Sequence, residues 1–170
     1  MRLAPSLFAA AVLLAGCSKG KSDDANVAGT PLAPPGMAPA PVAIEATRFN
    51  PALNVNLQSS THTPSGLYYR DITVGTGRVA ASGDQVVMSY IGALPDGTVF
   101  DKSSPDSPTI SFPLGAGQVV AGWDEGIVGM KVGGKRQLIV PPDLGYGAVG
   151  RAPVPGNAIM VFTVELVGIK

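Results

Sequence analysis

The sequence predicts an antiparallel α+β domain, and three observations carry that prediction. Two stretches, 84–94 and 159–169, alternate apolar and polar residues with the period of a strand. A single short helical stretch surrounds Trp123, the only tryptophan among 170 residues. The strand–helix–strand spacing that a parallel sheet requires is missing.

The elements follow in order. Arg2 precedes an apolar run, Leu7 to Ala15, that is too short to span a bilayer as a helix. Residues 1–16 therefore read as a targeting signal outside the fold. Ser18 to about Pro41 is rich in Ala, Pro, Gly and Ser, and Pro31, Pro34, Pro35, Pro39 and Pro41 crowd one stretch. It lacks a sustained apolar period, so residues 17–60 read as a disordered tether. Such a tether spans about 35–40 Å as a coil. Within it Val55 and Leu57 alternate with Asn54 and Asn56, the pattern of a short edge strand. His62, near the edge of the domain at 61–170, reads as a solvated linker residue.

Leu67 to Val74 is a strand closed by Gly75-Thr76-Gly77. Asp84 to Leu94 is the next, with Val86, Met88, Tyr90 and Leu94 on one face. Pro95-Asp96-Gly97-Thr98 is a turn with glycine where φ is positive. Val99 to Asp101 and Thr109 to Leu114 are short strands. In the Trp123 segment, Val120, Trp123 and Ile127 fall on one helical face and Asp124 and Glu125 on the other, where they favour the helix N-terminus electrostatically. A helix this short is marginal alone, so its apolar face lies in a larger groove. Lys131 to Gly134 turns into a strand at Lys135 to Val140. Ile159 to Ile169 is the last, with Met160, Phe162, Val164 and Leu166 on a buried face. The helix is the only element long enough to cover the sheet.

Formal net charge is +0, which argues against a nucleic-acid partner. Aromatics are only 6% of the chain, so each one is worth placing. Tyr90, Phe100, Trp123, Tyr146 and Phe162 sit on separate elements, as suits a concave aromatic-lined pocket. Taken alone, Trp123 reads equally well as core. Asp101 reads as a pocket carboxylate or as a strand-end cap, and Tyr146 as a pocket donor or a solvent-facing phenol. Cys17 lies outside the domain and His62 has no ligand partner in sequence, so no metal or cofactor is called for.

Two resemblances then apply. Leu14-Ala15-Gly16-Cys17 resembles the bacterial lipoprotein signal, which implies cleavage before Cys17, acylation of its thiol and an envelope location. Ser18 in place of Asp implies the outer membrane, facing the periplasm. From Gly66 to Lys170 the chain resembles the FKBP-type peptidyl-prolyl cis/trans isomerases. The resemblance rests on Ser89-Tyr90-Ile91-Gly92, Asp96 to Asp101, Leu114-Gly115, Val119 to Gly126, Gly129 to Gly133, Val140-Pro141-Pro142, Leu144 to Gly147 and Val161 to Leu166.

That resemblance implies a twisted antiparallel sheet of about five strands wrapped around one short helix. It implies isomerisation of X–Pro bonds in unfolded or partly folded polypeptides, with Trp123 as pocket floor and Asp101 beside the rotating amide. The Val120 N–H and the Tyr146 hydroxyl are implied to bond the bound chain, and Tyr90, Phe100, Ile110, Val119, Val154 and Phe162 to contact it. Asp106 stands where the family often has an arginine paired with the carboxylate, and Ile110 where it often has phenylalanine. Those two departures motivate a second reading, a chaperone-like module that holds Pro-containing segments. The proline-rich segment before Gly66 does not form the long helical arm of dimeric relatives, so a monomer is expected.

Overall fold

The computed structural model describes residues 43–103 and 108–170. The expectations for the signal, for Cys17 and for Asp106 fall outside those residues. Seven strands form one antiparallel sheet: β1 (Thr61–His62), β2 (Tyr68–Thr73), β3 (Gln85–Ala93), β4 (Val99–Lys102), β5 (Ile110–Pro113), β6 (Lys135–Val140) and β7 (Met160–Ile169). The order across it is β1-β2-β6-β7-β3-β4, and β5 also pairs with β3. β5 meets the first half of β3 and β4 the second, so together they act as one interrupted edge. Counting that edge once and setting aside the two-residue β1 leaves the five strands expected.

The one α-helix among the described residues, α1 (Ala121–Gly126), packs on β6 through two glycines one turn apart. A Cβ on Gly122 would lie 2.7 Å from Val140 Cγ1, and one on Gly126 would lie 2.7 Å from Leu138 Cδ2. The helix therefore touches the strand with its backbone and sends Trp123 into the core at 4% exposure. Arg136 of β6 fastens the far end of α1. Its guanidinium donates to the Gly126 carbonyl (2.8 Å) and pairs with both carboxylate oxygens of Asp71 (2.7 and 3.0 Å). It also lies 4.6 Å from the centroid of the Tyr69 ring. A carbonyl at a helix C-terminus that would otherwise be orphaned thus meets a cation, which the helix dipole favours.

Asp124 does something other than charge the helix end. Its carboxylate accepts from the N–H groups of Gly115 (2.8 Å) and Gly117 (2.9 Å), which ties the loop before α1 to the helix. Glu125 accepts from the Ser65 hydroxyl. His62 is exposed, as expected of a solvated residue, but it belongs to β1 and stacks on Tyr68 with ring centroids 4.3 Å apart, so it is not in a linker.

The expected tether boundary at residue 60 also moves. Residues 43–60 form three 3₁₀ turns (Ile44–Ala46, Pro51–Leu53, Leu57–Ser59) laid over the face of the sheet opposite α1. Ile44 is buried with Tyr68, Ile139, Ile159 and Val161, and Phe49, Leu53, Val55 and Leu57 pack against them. The edge strand expected at Val55 and Leu57 is absent; the chain there turns into the third 3₁₀ segment. Cross-strand partners Arg70 and Gln137 donate to the carbonyls of Asn54 (2.9 Å) and Leu53 (2.7 Å), which pins this strap. Asn50, near the middle of the strap, donates to the carbonyls of Pro95 and Asp96 in the β3–β4 turn (2.7 Å each). Gly97 in that turn has φ +94°, and a Cβ there would lie 2.8 Å from Asn50 Nδ2. The sheet is therefore covered on both faces, and the helix is not its only cover.

Candidate active site

On the helix side lies a cavity of about 430 Å³, lined by Tyr90, Asp101, Ile110, Gln118, Val119, Val120, Ala121, Trp123, Gly145, Tyr146, Arg151 and Phe162. That volume is in the range of small-molecule and peptide-side-chain sites. Each wall is set by local structure. The N-cap of α1 is Val120, and the helix places Trp123 one turn inside. The indole is met edge-on by Tyr90 (centroids 5.1 Å apart, 79°) and by Phe162 (5.3 Å, 84°). Phe112 lies against it at 5.9 Å. Edge-to-face contact directs positive ring edges at negative ring faces, so the cluster holds its own geometry.

Gly92 makes this arrangement fit. It pairs with Phe162 on one side and Asp101 on the other. A Cβ there would lie 2.7 Å from Phe162 Cε1 and 2.8 Å from Phe100 Cζ. Phe100 and Phe162 themselves pack edge-to-face at 5.6 Å. Phe100 supports the Phe162 wall from behind and does not line the cavity.

The polar groups are few and placed. The Tyr90 hydroxyl donates to Asp101 Oδ2 (2.8 Å), and Asp101 Oδ1 accepts from the Lys102 N–H (2.9 Å). The carboxylate is thus both a strand-end cap and a pocket group, held by a phenol with no arginine involved. Burial first, and then the bond to Asp101, pushes the Tyr90 phenol up to about 12. Among the described residues, neither the Val120 N–H nor the Tyr146 hydroxyl makes a hydrogen bond, so both remain free to serve a ligand. The indole Nε1 of Trp123 is buried without a partner. An orphaned donor of this kind costs about 1–3 kcal/mol.

The cavity unites Tyr90, Asp101, Ile110, Val119, Val120, Trp123, Tyr146 and Phe162 from the sequence-derived set. Val154 is a correction. It is 4% exposed and belongs to the core, anchoring the loop from inside. Sequence reasoning missed Gln118 and the position of Arg151 at the rim. Both are polar residues in loops, where periodicity carries no signal, and adjacency to Val119 is the only clue for Gln118.

Comparison with known proteins agrees with this geometry. The family described as "FKBP-type peptidyl-prolyl cis-trans isomerase" matches residues 77–167, more than half of the chain. The chain is 48% identical over 111 residues to FK506-binding protein 4 of Rhizopus delemar, covering 65% of this chain and 29% of that protein. It is 50% identical over 105 residues to FK506-binding protein 4 of Dictyostelium discoideum, covering 61% and 28%. The chain therefore spans under a third of the length of these relatives. Among solved structures, AtFKBP13 superposes with a TM-score of 0.61 at 35% identity, covering 65% of this chain and 98% of that one. FkpA from Escherichia coli gives 0.61 at 38% identity, covering 66% and 52%.

Proposed function

Since the chain belongs to the FKBP-type peptidyl-prolyl cis-trans isomerase family, we propose that it catalyses rotation of X–Pro bonds in polypeptides within the aromatic cavity. The observation that carries this reading is the indole floor ringed by Tyr90 and Phe162, with unpaired donors at Val120 and Tyr146 on the rim. The reaction breaks no covalent bond. It twists a partial double bond against a barrier of about 18–20 kcal/mol. In the twisted state, conjugation is lost and the amide is less dipolar. Water favours the planar, more dipolar ground state. A cavity walled by rings withdraws that preference and accepts the proline ring.

The residues divide the work. Trp123, Phe162, Ile110 and Val119 supply the dry surface. The Val120 N–H and the Tyr146 hydroxyl fix the bound chain on either side of the turning bond. Asp101, oriented by Tyr90, sets a negative charge beside it. Only contacts stronger in the twisted state than in the planar one raise the rate, tenfold for each ~1.4 kcal/mol. The test is a peptide isomerisation assay on the purified chain. Acceleration over the uncatalysed rate is expected; a folded chain that gives none refutes the reading.

The setting is part of the proposal. The Leu14-Ala15-Gly16-Cys17 sequence supports acylation at Cys17 and a lipid-anchored protein on the periplasmic face of an outer membrane, acting as a monomer on envelope proteins as they fold. Slow proline isomerisation limits such folding. Substitution Cys17→Ser is expected to release the protein from membranes or leave it unprocessed; unchanged fractionation and gel mobility contradict the anchor. The reading as a holding module is separable. A Tyr146→Phe variant that keeps client binding and biological activity while losing turnover favours it.

A further inference from the structure

Of the two charged residues lining the cavity, Asp101 and Arg151, the arginine has no ion-pair partner among the described residues. Asp101 has its two donors, but Arg151 has none of the partners an arginine usually finds. Described ion pairs join Arg78 to Asp84, Lys135 to Glu165 and Arg136 to Asp71. Arg151 has no carboxylate partner among the described residues. Its guanidinium stands 5.9 Å from the centroid of the Tyr146 ring, and the residue lines the cavity while exposed to solvent.

The position is built. Arg151 and Val154 exchange backbone hydrogen bonds, N–H to carbonyl, at 2.9 and 2.7 Å, closing a tight turn. Val154 roots that turn in the core at 4% exposure. The Gly150 N–H donates to the Tyr146 carbonyl (3.1 Å), tying the turn to the rim residue below it. Gly150 has φ +73°, and a Cβ there would lie 2.5 Å from Gly156 N, so the loop closes only around glycine. At 5.9 Å the guanidinium is at the outer limit of a cation–π contact with Tyr146, which favours this region for the side chain.

We propose that Arg151 makes this site selective for proline segments carrying an acidic side chain within two residues of the proline. The inference rests on the isomerase reading and names its substrate class. A polypeptide threading the cavity passes between the Asp101 carboxylate, already engaged by two donors, and the Arg151 guanidinium at the rim, which has no carboxylate partner among the described residues and so sets the sign of the field at its own end. A carboxylate there gains attraction, and an ammonium suffers repulsion of similar size.

The test uses matched peptides with Glu, Gln or Lys at a flanking position. Wild type is expected to show kcat/KM for Glu above Lys by about three- to tenfold, with Gln between, at low salt. The Glu-to-Lys ratio should fall toward one in Arg151→Gln, return in Arg151→Lys, and shrink as salt is raised. An unchanged ratio in Arg151→Gln overturns the proposal while leaving the isomerase reading intact. If wild type turns over no peptide, the isomerase reading fails. The selectivity is then decided by binding, read from fluorescence of Trp123, the only tryptophan: a Glu-over-Lys affinity ratio lost in Arg151→Gln supports it, and equal affinities overturn it.

Discussion

The cavity of about 430 Å³ on the helix side of the sheet and the groove of about 840 Å³ on the opposite side differ in what their polar groups do. The groove is lined by the strap residues 49–56 and by Arg70, Ile72, Ile91, Gln137, Val161 and Thr163. Its polar side chains Arg70 and Gln137 hold strap carbonyls through Nη2 and Nε2, while Arg70 Nε and Gln137 Oε1 stay buried without a partner. It has no converging rings, and its aliphatic side chains Ile72 and Ile91 are about half exposed. The smaller cavity holds Tyr90, Trp123 and Phe162 in edge-to-face contact and leaves the Val120 N–H, the Tyr146 hydroxyl and Arg151 uncommitted. Volume therefore does not mark the site, and neither does an orphaned polar atom alone; a floor of edge-to-face rings with uncommitted donors at its rim does. The groove is the space left where a strap meets a sheet.

The largest effect expected is on the framework under the smaller cavity. Arg136→Ala strips Asp71 of its partner and exposes the α1 carbonyl end, for a loss of about 3 kcal/mol in urea unfolding. The Asp71 side chain is 37% exposed, so its abandoned charge still reaches water, which keeps the loss at the lower end of buried pairs. Next, Gly92→Ala drives a methyl between Phe100 and Phe162. It is expected to destabilise by about 1–3 kcal/mol and to lower kcat/KM by about tenfold. Its neighbour on the other face is the control: Ile91→Asp should leave kcat/KM within about twofold.

Smaller again is Tyr90→Phe, which frees Asp101 from its phenol. A fall in kcat/KM of about three- to tenfold is expected. Tyr90 also has a pH signature. Its folded value, about 12, lies above the ordinary 10.0, so its contribution to stability is complete below pH 10 and fades as pH rises toward 12. Ultraviolet titration should show a late-ionising tyrosine component in wild type that shrinks in Tyr90→Phe without vanishing, because the bond to Glu45 also raises Tyr68.

The smallest effect is on the strap. The Tyr68 hydroxyl donates to Glu45, and that bond holds the Glu45 carboxyl below its ordinary 4.5. The sign is opposite to that of Tyr90: the contribution is present above pH 4.5 and is lost as acid protonates the carboxylate. Hydrogen exchange should show residues 43–60 loosening in mild acid before the sheet does, and Glu45→Gln should loosen them at neutral pH.

These contrasts also explain what was legible in the sequence. β3 and β7 were readable because Val86, Met88 and Met160, Phe162, Val164 alternate strictly against one buried face. The aromatic floor was readable because aromatics are scarce and each sits on its own element. The strap was not. Val55 and Leu57 alternate like a strand, yet the chain there runs between 3₁₀ turns at Pro51–Leu53 and Leu57–Ser59, and Ile44 and Phe49 extend no period that would announce a packed segment. The Tyr90–Asp101 bond needed the β3–β4 register, with its shift between Gly92 and Ala93. The resemblance implied Val154 as a contact of the bound chain, but its burial is a property of the closed turn and not of the residue.

The central claim is that rotation of the imide happens on the ringed side of the sheet. Its most direct test is proline-limited refolding of a client in the presence of the folded wild-type chain, Tyr146→Phe and Ile91→Asp. The account predicts acceleration by wild type and Ile91→Asp, and a rate enhancement about three- to tenfold smaller with Tyr146→Phe. Acceleration that survives in Tyr146→Phe but is lost in Ile91→Asp, or no acceleration by any of the three, would contradict it.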